Sequence, residues 1–148
     1  MSRSMLSRPL QQAFSDGLLD LGALFDYGCG RGDDLKTLAA LGLDANGWDP
    51  AHRPDAERHP APVVNLGYVI NVIEDPPERA TALRGAWDLT RSVLVVSARL
   101  TWDQDVNAGR PYGDGYITST GTFQKFYTHE ELKAWIESVL GESAITAA

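Results

Sequence analysis

The chain has 148 residues, 43% of them hydrophobic and 22% charged, with a net charge of −7 and a pI near 4.8. That suits one globular domain with a real core, and the acidic balance leaves no basic footprint with which this domain alone would grip DNA or RNA strongly. No run reaches the ~18 apolar residues of a membrane span, and an N-terminus carrying Arg3 and Arg8 without an apolar stretch does not read as a signal peptide. Cys29 is the one cysteine, so no intrachain disulfide can form and a reducing, cytoplasmic compartment is expected.

Ser7 to Asp16 reads as a helix: Ser7 can cap it, Pro9 fits its first turn and Gly17 can end it. Leu10, Phe14 and Leu18 would fall on its buried face, covering a ligand pocket or packing on a sheet edge. A strand over Leu24–Tyr27 follows, then Gly28, Gly30 and Gly32 at alternate positions, then a helix over Asp34–Leu41 that Gly42 stops. Strand, glycine turn and helix start is the layout that wraps a nucleotide-like ligand at the end of a parallel strand, because the ligand must approach bare backbone. Cys29, inside the turn, has no adjacent base and is not assigned as a nucleophile. Leu43–Trp48 reads as the second strand, and Asp49-Pro50 ends it. An acid about 20 residues beyond such a turn accepts hydrogen bonds from ribose hydroxyls, and Asp49 stands where that acid is needed.

The glycine spacing separates two ligand classes. A nicotinamide fingerprint, G-x-G-x-x-G, lays backbone N–H groups on a pyrophosphate. Here Asp33 occupies the place of the third glycine, and an acid there repels a pyrophosphate. Asp26-Tyr27-Gly28-Cys29-Gly30-Arg31-Gly32 instead resembles motif I of the class I S-adenosylmethionine-dependent methyltransferases, whose ligand carries a sulfonium cation and no phosphate.

Residues 51–62, with Pro54, Pro60 and Pro62, read as loop, leaving little room for both a further helix and a third strand. Val63–Leu66 is expected as a strand buried on both faces, Gly67 and Tyr68 as a turn over the pocket, and Val69–Ile73 as a short helical turn. Asn65 is placed to hydrogen-bond an amino-acid end of the ligand. Asp75, Pro76 and Glu78 read as a capping box opening a helix to Leu89, with Ala82, Leu83, Ala86 and Leu89 inward. Two prolines after an acid suggest a nucleobase-flipping methyltransferase, but Glu78 stands where the base-stacking aromatic would be. Ser92–Ser97 is the next expected buried strand. Residues 99–124 form a long connection, of the kind that is functional or disordered; Tyr112, Tyr116, Phe123 and Phe126 argue against disorder, and a substrate lid shaped by Lys125 and Tyr127 is expected. Thr128 and Glu131 form a second capping box, opening a helix to Leu140 with Leu132, Trp135, Ile136 and Val139 inward and His129 facing solvent. Ser143–Thr146 is one strand-like piece where a class I methyltransferase would carry an antiparallel pair.

Four blocks carry a finer resemblance: residues 26–32, Gly47-Trp48-Asp49-Pro50, residues 64–76, and Gly121-Thr122-Phe123-Gln124-Lys125-Phe126-Tyr127. Over about residues 7–141 the chain resembles the methyltransferases associated with DNA phosphorothioation. That resemblance implies S-adenosylmethionine binding through Asp26, Gly28, Gly30 and Asp49. The expected fold is a shortened Rossmann-like α/β sheet with its third strand and last antiparallel strand missing or reduced, in one S-adenosylmethionine-binding domain. Such an edge is expected in a fragment of a longer protein, or where a partner chain or flanking domain completes the sheet. The expected cofactor site comprises Asp26, Tyr27, Gly28, Cys29, Gly30, Gly32, Asp49, Pro50, Asn65 and Leu66. Tyr68 and Glu74 are the candidate catalytic residues, Tyr112, Lys125 and Tyr127 the candidate lid, and no metal is expected. The expected activity is methyl transfer to a small-molecule or DNA-related acceptor; the alternative is a non-catalytic S-adenosylmethionine-binding module for sensing or assembly.

Overall fold

A computed structural model describes residues 5–104 and 108–147. Arg3 and residues 105–107 of the expected lid lie outside the described residues. The order is α1 (Arg8–Ser15), a 3-10 helix (Leu18–Leu21), β1 (Leu24–Tyr27), α2 (Asp33–Ala40), β2 (Ala45–Trp48), β3 (Ala61–Gly67), α3 (Pro76–Leu89) and β4 (Thr90–Ser97). A 3-10 turn (Thr101–Asp103), β5 (Arg110–Tyr112), β6 (Gly115–Ile117), β7 (Phe123–Gln124) and α4 (His129–Leu140) follow. The chain forms two compact units, Met1–Gly67 with Gly85–Val96, and Tyr68–Arg84 with Ser97–Ala148. No helix among the described residues is long and apolar enough to cross a membrane.

The first unit is built on the sheet β2-β1-β3-β4. All of β1 is buried because it pairs in parallel on both sides, Asp26 lying opposite Gly47 of β2 and Asn65 of β3. From β1 the chain passes to β2 on one side and, by way of β2, to β3 on the other. The switch point, where ligands bind in open α/β sheets, therefore lies between β1 and β3. The order matches the shortened sheet expected: residues 51–60 add no strand beyond a bridge between Asp49 and Arg53.

Leu6, Leu10, Ala13, Leu19, Leu24, Leu38 and Val63 form the core of this unit. Two expectations for its helices change. The buried stripe of α1 runs Leu6, Leu10, Ala13, while Phe14 falls beside it and is 52% exposed. Ser7 makes no side-chain cap; its N–H instead donates to Asp34 Oδ1 at 2.8 Å. Leu43 is not strand because it completes the end of α2. Its N–H donates to Leu38 O, and that of Gly42 (φ +81°) to Ala39 O, the paired bonds of a Schellman cap. β3 begins earlier than expected, at Ala61, and β4 earlier, at Thr90. β4 ends the strand order and is half-buried at best, as befits a strand paired on one side.

In the second unit the expected lid is a folded structure rather than a plain connection. β5, β6 and β7 form an antiparallel sheet, with Tyr112 opposite Gly115 across a two-residue turn. Gly113 (φ +57°) and Asp114 make that turn, glycine in the first central position as a type II′ hairpin requires. Buried Arg79 anchors it: the guanidinium bonds Asp114 twice, at 2.6 and 2.9 Å, and donates to Ile73 O and Glu74 O. Asp114's carboxyl is held below the usual range by the Arg79 bond, which outweighs its partial burial. Val69–Ile73 is a single turn, closed by Val72 N–H on Val69 O. α4 begins as expected, Thr128 Oγ1 accepting Glu131 N–H at 3.0 Å, and ends at Gly141 in left-handed conformation. Its inward face is only half-buried, and His129 packs beside the Trp102 ring, 4.9 Å between centroids, instead of facing open solvent. Residues 143–146 form no strand.

Candidate functional site

The glycine turn closes on the neighbouring strand. The N–H groups of Gly28 and Cys29 both donate to Trp48 O, at 2.7 and 3.0 Å, and Gly32 N–H donates to Cys29 O. Gly28, Gly30 and Gly32 all have positive φ, +94°, +56° and +85°, so only glycine takes this path without strain. They differ in what a side chain would meet. A Cβ on Gly32 would fall 2.6 Å from Arg53 Nη2, so this glycine seats the arginine. A Cβ on Gly30 would meet nothing within 4 Å, so its face is open.

Asp49 ties the turn to the end of β2. Its Oδ2 accepts Gly30 N–H at 2.9 Å, and its Oδ1 accepts the N–H groups of Ala51 (2.8 Å) and His52 (2.9 Å). Partial burial works to raise this carboxyl; the three backbone N–H bonds outweigh it and hold the group below the ordinary 3.8. At the switch point, Asn65 Nδ2 donates to Asp26 Oδ1 at 3.1 Å, both residues being buried. Asn65 Oδ1 is buried and accepts no hydrogen bond among the described residues. An orphaned acceptor of this kind wants a donor.

The turn, Asp26, Asp49 and Asn65 thus come together at the strand ends, as the sequence suggests. The remaining expected cofactor residues are placed differently. Tyr27's ring is buried beside Trp48, and its hydroxyl lies 2.5 Å from where a Gly85 Cβ would stand. Leu66 is fully buried. Both could meet a ligand only through backbone, while Pro50 is exposed. Burial, reinforced by the Asp26 charge, pushes the Cys29 thiol up to about 11, so it stays protonated at neutral pH.

The candidate catalytic and lid residues belong to the second unit. Tyr68 follows β3 directly and is the one non-glycine among the described residues with positive φ, +57°. Its N–H donates to Ser97 O at 2.9 Å. A half-exposed aromatic held in the left-handed region costs about 1–3 kcal/mol, strain of the sort retained at functional sites. Tyr68→Gly is therefore expected to leave the melting temperature unchanged or to raise stability by up to about 1 kcal/mol, measured by urea denaturation. A drop of several degrees would show that the side chain serves packing.

Glu74 lies beside Tyr112 and raises the Tyr112 hydroxyl above its ordinary value. They line an open cavity of about 640 Å³ with Asp75, Pro76, Glu78, Gly113, Asp114 and Phe123. Lys125 and Tyr127 are not among the residues lining it. Lys125 Nζ pairs with Glu131 at 2.9 Å and lies over the Tyr127 ring, and burial pushes the Tyr127 hydroxyl up to about 12. Sequence reasoning missed Arg79 and Asp114. Gly113-Asp114 between two β-prone triplets was a readable hairpin signal, whereas nothing local marks Arg79.

A parallel sheet with a switch point beside a glycine turn and a strand-end acid defines the Rossmann-like α/β class. No protein-family model matches the sequence, and no curated protein does. Solved structures share the fold, among them three methyltransferases. An amino pentose methyltransferase from Micromonospora echinaspora, solved with S-adenosylmethionine bound, has a TM-score of 0.58 at 14% identity over 88% of this chain and 80% of its own. The CcbJ methyltransferase from Streptomyces caelestis has a TM-score of 0.61 at 14% identity over 88% and 77%. An S-adenosylmethionine-dependent methyltransferase from Clostridium acetobutylicum has a TM-score of 0.60 at 8% identity over 87% and 78%. The chain has the fold of class I methyltransferases.

Proposed function

We propose that this chain binds S-adenosylmethionine at the strand ends of its first unit and transfers the methyl group to an acceptor. The bond from Gly30 N–H to Asp49 Oδ2 carries this reading, because it joins the two sequence signals into one cradle. The residues fit the ligand. The open face of Gly30 leaves room for it, Asp49 keeps lone-pair capacity for ribose hydroxyls, and Asn65 Oδ1 awaits an N–H such as the amino group carries. S-adenosylmethionine supplies an activated methyl group; the protein's share is binding and orientation. Asp33 and Asp34 in the first turn of α2 disfavour a pyrophosphate there. The methyltransferase neighbours support the same reading.

Tyr68 and Glu74 are the residues we propose near the acceptor. The four sequence blocks alone support a finer kinship with the phosphorothioation-associated methyltransferases, and the lone Cys29 supports a reducing, cytoplasmic setting. The position of β4 at the end of the sheet supports a partner chain or flanking segment beside it. The missing strands also favour a second reading, a sensing or assembly module that binds the cofactor without turnover. Calorimetric titration with S-adenosylmethionine, S-adenosylhomocysteine and NADH tests the cofactor. Micromolar binding of the two sulfur compounds and none of NADH is expected; binding of NADH alone would overturn the reading. Tight binding without turnover across an acceptor screen would select the sensing module.

A further inference from the structure

We infer that Arg53 is a specificity residue of the first unit's ligand site, its guanidinium donating to the oxygens of a ribose cis-diol. The inference deepens the cofactor reading and rests on it only for placing a ribose at Asp49. The whole site lies within the first unit. There Gly30 presents its open face, and the buried Asn65 Oδ1 has no partner among the described residues.

Backbone bonds carry Arg53 to the glycine turn. Its N–H donates to Asp49 O at 2.9 Å and its O accepts Asp49 N–H at 3.4 Å, so the two residues face each other across a tight loop. The guanidinium reaches Gly32, where Nη2, Cζ and Nε stand 2.6, 3.2 and 3.5 Å from the place a Cβ would take. Asp49 Oδ2 holds the same turn at Gly30 N–H. A carboxylate and a guanidinium from one loop therefore meet one turn at neighbouring points. The charge of Arg53 is felt inside the turn, where it works against the rise of the Cys29 thiol. Yet among the described residues the guanidinium makes no side-chain hydrogen bond and no ion pair, and Arg53 is exposed.

The chemistry of donors and acceptors says what fits there. An ionised carboxylate only accepts, and a guanidinium only donates. A ribose hydroxyl does both: its proton goes to Asp49, and its lone pairs are left for a donor. Arg53 offers N–H groups in a rigid plane beside that acid. A phosphate on the ribose would also attract the arginine, but Asp49 next to it and Asp33 in the first turn of α2 repel one.

The test is ligand-observed NMR and calorimetry on the full chain, in the wild type, Arg53→Ala and Arg53→Lys. The probes are adenosine, 2′,3′-dideoxyadenosine, adenosine 2′-monophosphate, S-adenosylhomocysteine and NADH. The wild type is expected to prefer adenosine to the dideoxy compound by about ten-fold or more. Arg53→Ala should weaken adenosine and S-adenosylhomocysteine by about ten-fold, the scale of one hydrogen bond from a charged donor, and change the dideoxy compound by less than about two-fold. Arg53→Lys keeps the charge without the planar fork and should restore only part of the loss. Circular dichroism and the melting temperature should not move, because the side chain is exposed. Equal loss for both nucleosides, no loss, a wild type indifferent to the diol, or tighter binding of the 2′-monophosphate than of adenosine would each overturn the inference. The cofactor reading fails separately. Full-strength S-adenosylhomocysteine binding in Arg53→Ala would keep that reading and sink this role; Arg53-dependent binding of adenosine and NADH without S-adenosylhomocysteine would do the reverse.

Discussion

Asp49→Ala is expected to weaken S-adenosylmethionine binding by about 100-fold, roughly 2.7 kcal/mol, in calorimetric titration. The carboxylate holds the glycine turn through Gly30 N–H and its own loop through Ala51 and His52 N–H. Removing it costs the cradle's alignment and the acceptor for the ribose hydroxyls together, and a hydrogen bond to a charged group is worth about 1.5–3 kcal/mol. Asp49→Asn keeps one acceptor oxygen and should lose about ten-fold. Wild-type affinity in Asp49→Ala would show that the acid is only a turn former. The pH dependence has a definite sign. Because folding depresses the Asp49 carboxyl below 3.8, its contribution to holding the turn is complete above that value. It is lost as pH falls through the lower folded value, so the turn loosens on acidification and not on approach to neutrality.

Gly47→Ala is expected to cost about 2–3 kcal/mol of stability, read as a lower urea midpoint with an unchanged slope. A Cβ there would fall 2.8 Å from Cys29 Cβ, 2.9 Å from Leu35 Cδ1 and 3.0 Å from Asp26 O. Two of those three neighbours, the Cβ of Cys29 and the carbonyl of Asp26, are fixed by backbone and cannot swing away. Gly30→Ala makes the informative contrast. Its Cβ would meet no atom of the described residues within 4 Å, so its stability cost is confined to left-handed strain of about 1 kcal/mol. Yet it fills the face left for the ligand, and cofactor binding should be lost. Gly47 is therefore a packing glycine, and the proposed function makes Gly30 a ligand glycine. If Gly30→Ala bound S-adenosylmethionine normally, the open face would not be the cofactor's place.

Local chemistry made much of this chain readable without its structure. β1 falls where its apolar run predicts. The glycine turn is dictated by three residues of positive φ, and α4 by a threonine cap and a terminal glycine. Each of these rests on interactions within a few residues, which the order of side chains alone specifies. The cofactor class we propose rests on the same kind of signal, since Asp33 in place of a glycine is a matter of spacing.

What the tertiary structure decided involves partners far apart in sequence. Leu43 leaves the strand because the end of α2 needs its N–H. Ala13 turns inward and Phe14 outward because the sheet beneath α1 sets the stripe. The small sheet of the second unit is anchored by Arg79 on Asp114, 35 residues apart, a pairing that no local pattern announces. Asn65 acquires an orphaned oxygen only because β3 pairs with β1 and sets it opposite Asp26. Sequence alone determined which residues could make a ligand turn, because capping and backbone conformation are local. Which of them face a ligand, and which merely fill space, was decided by packing, because it depends on what the rest of the chain brings within a few ångströms.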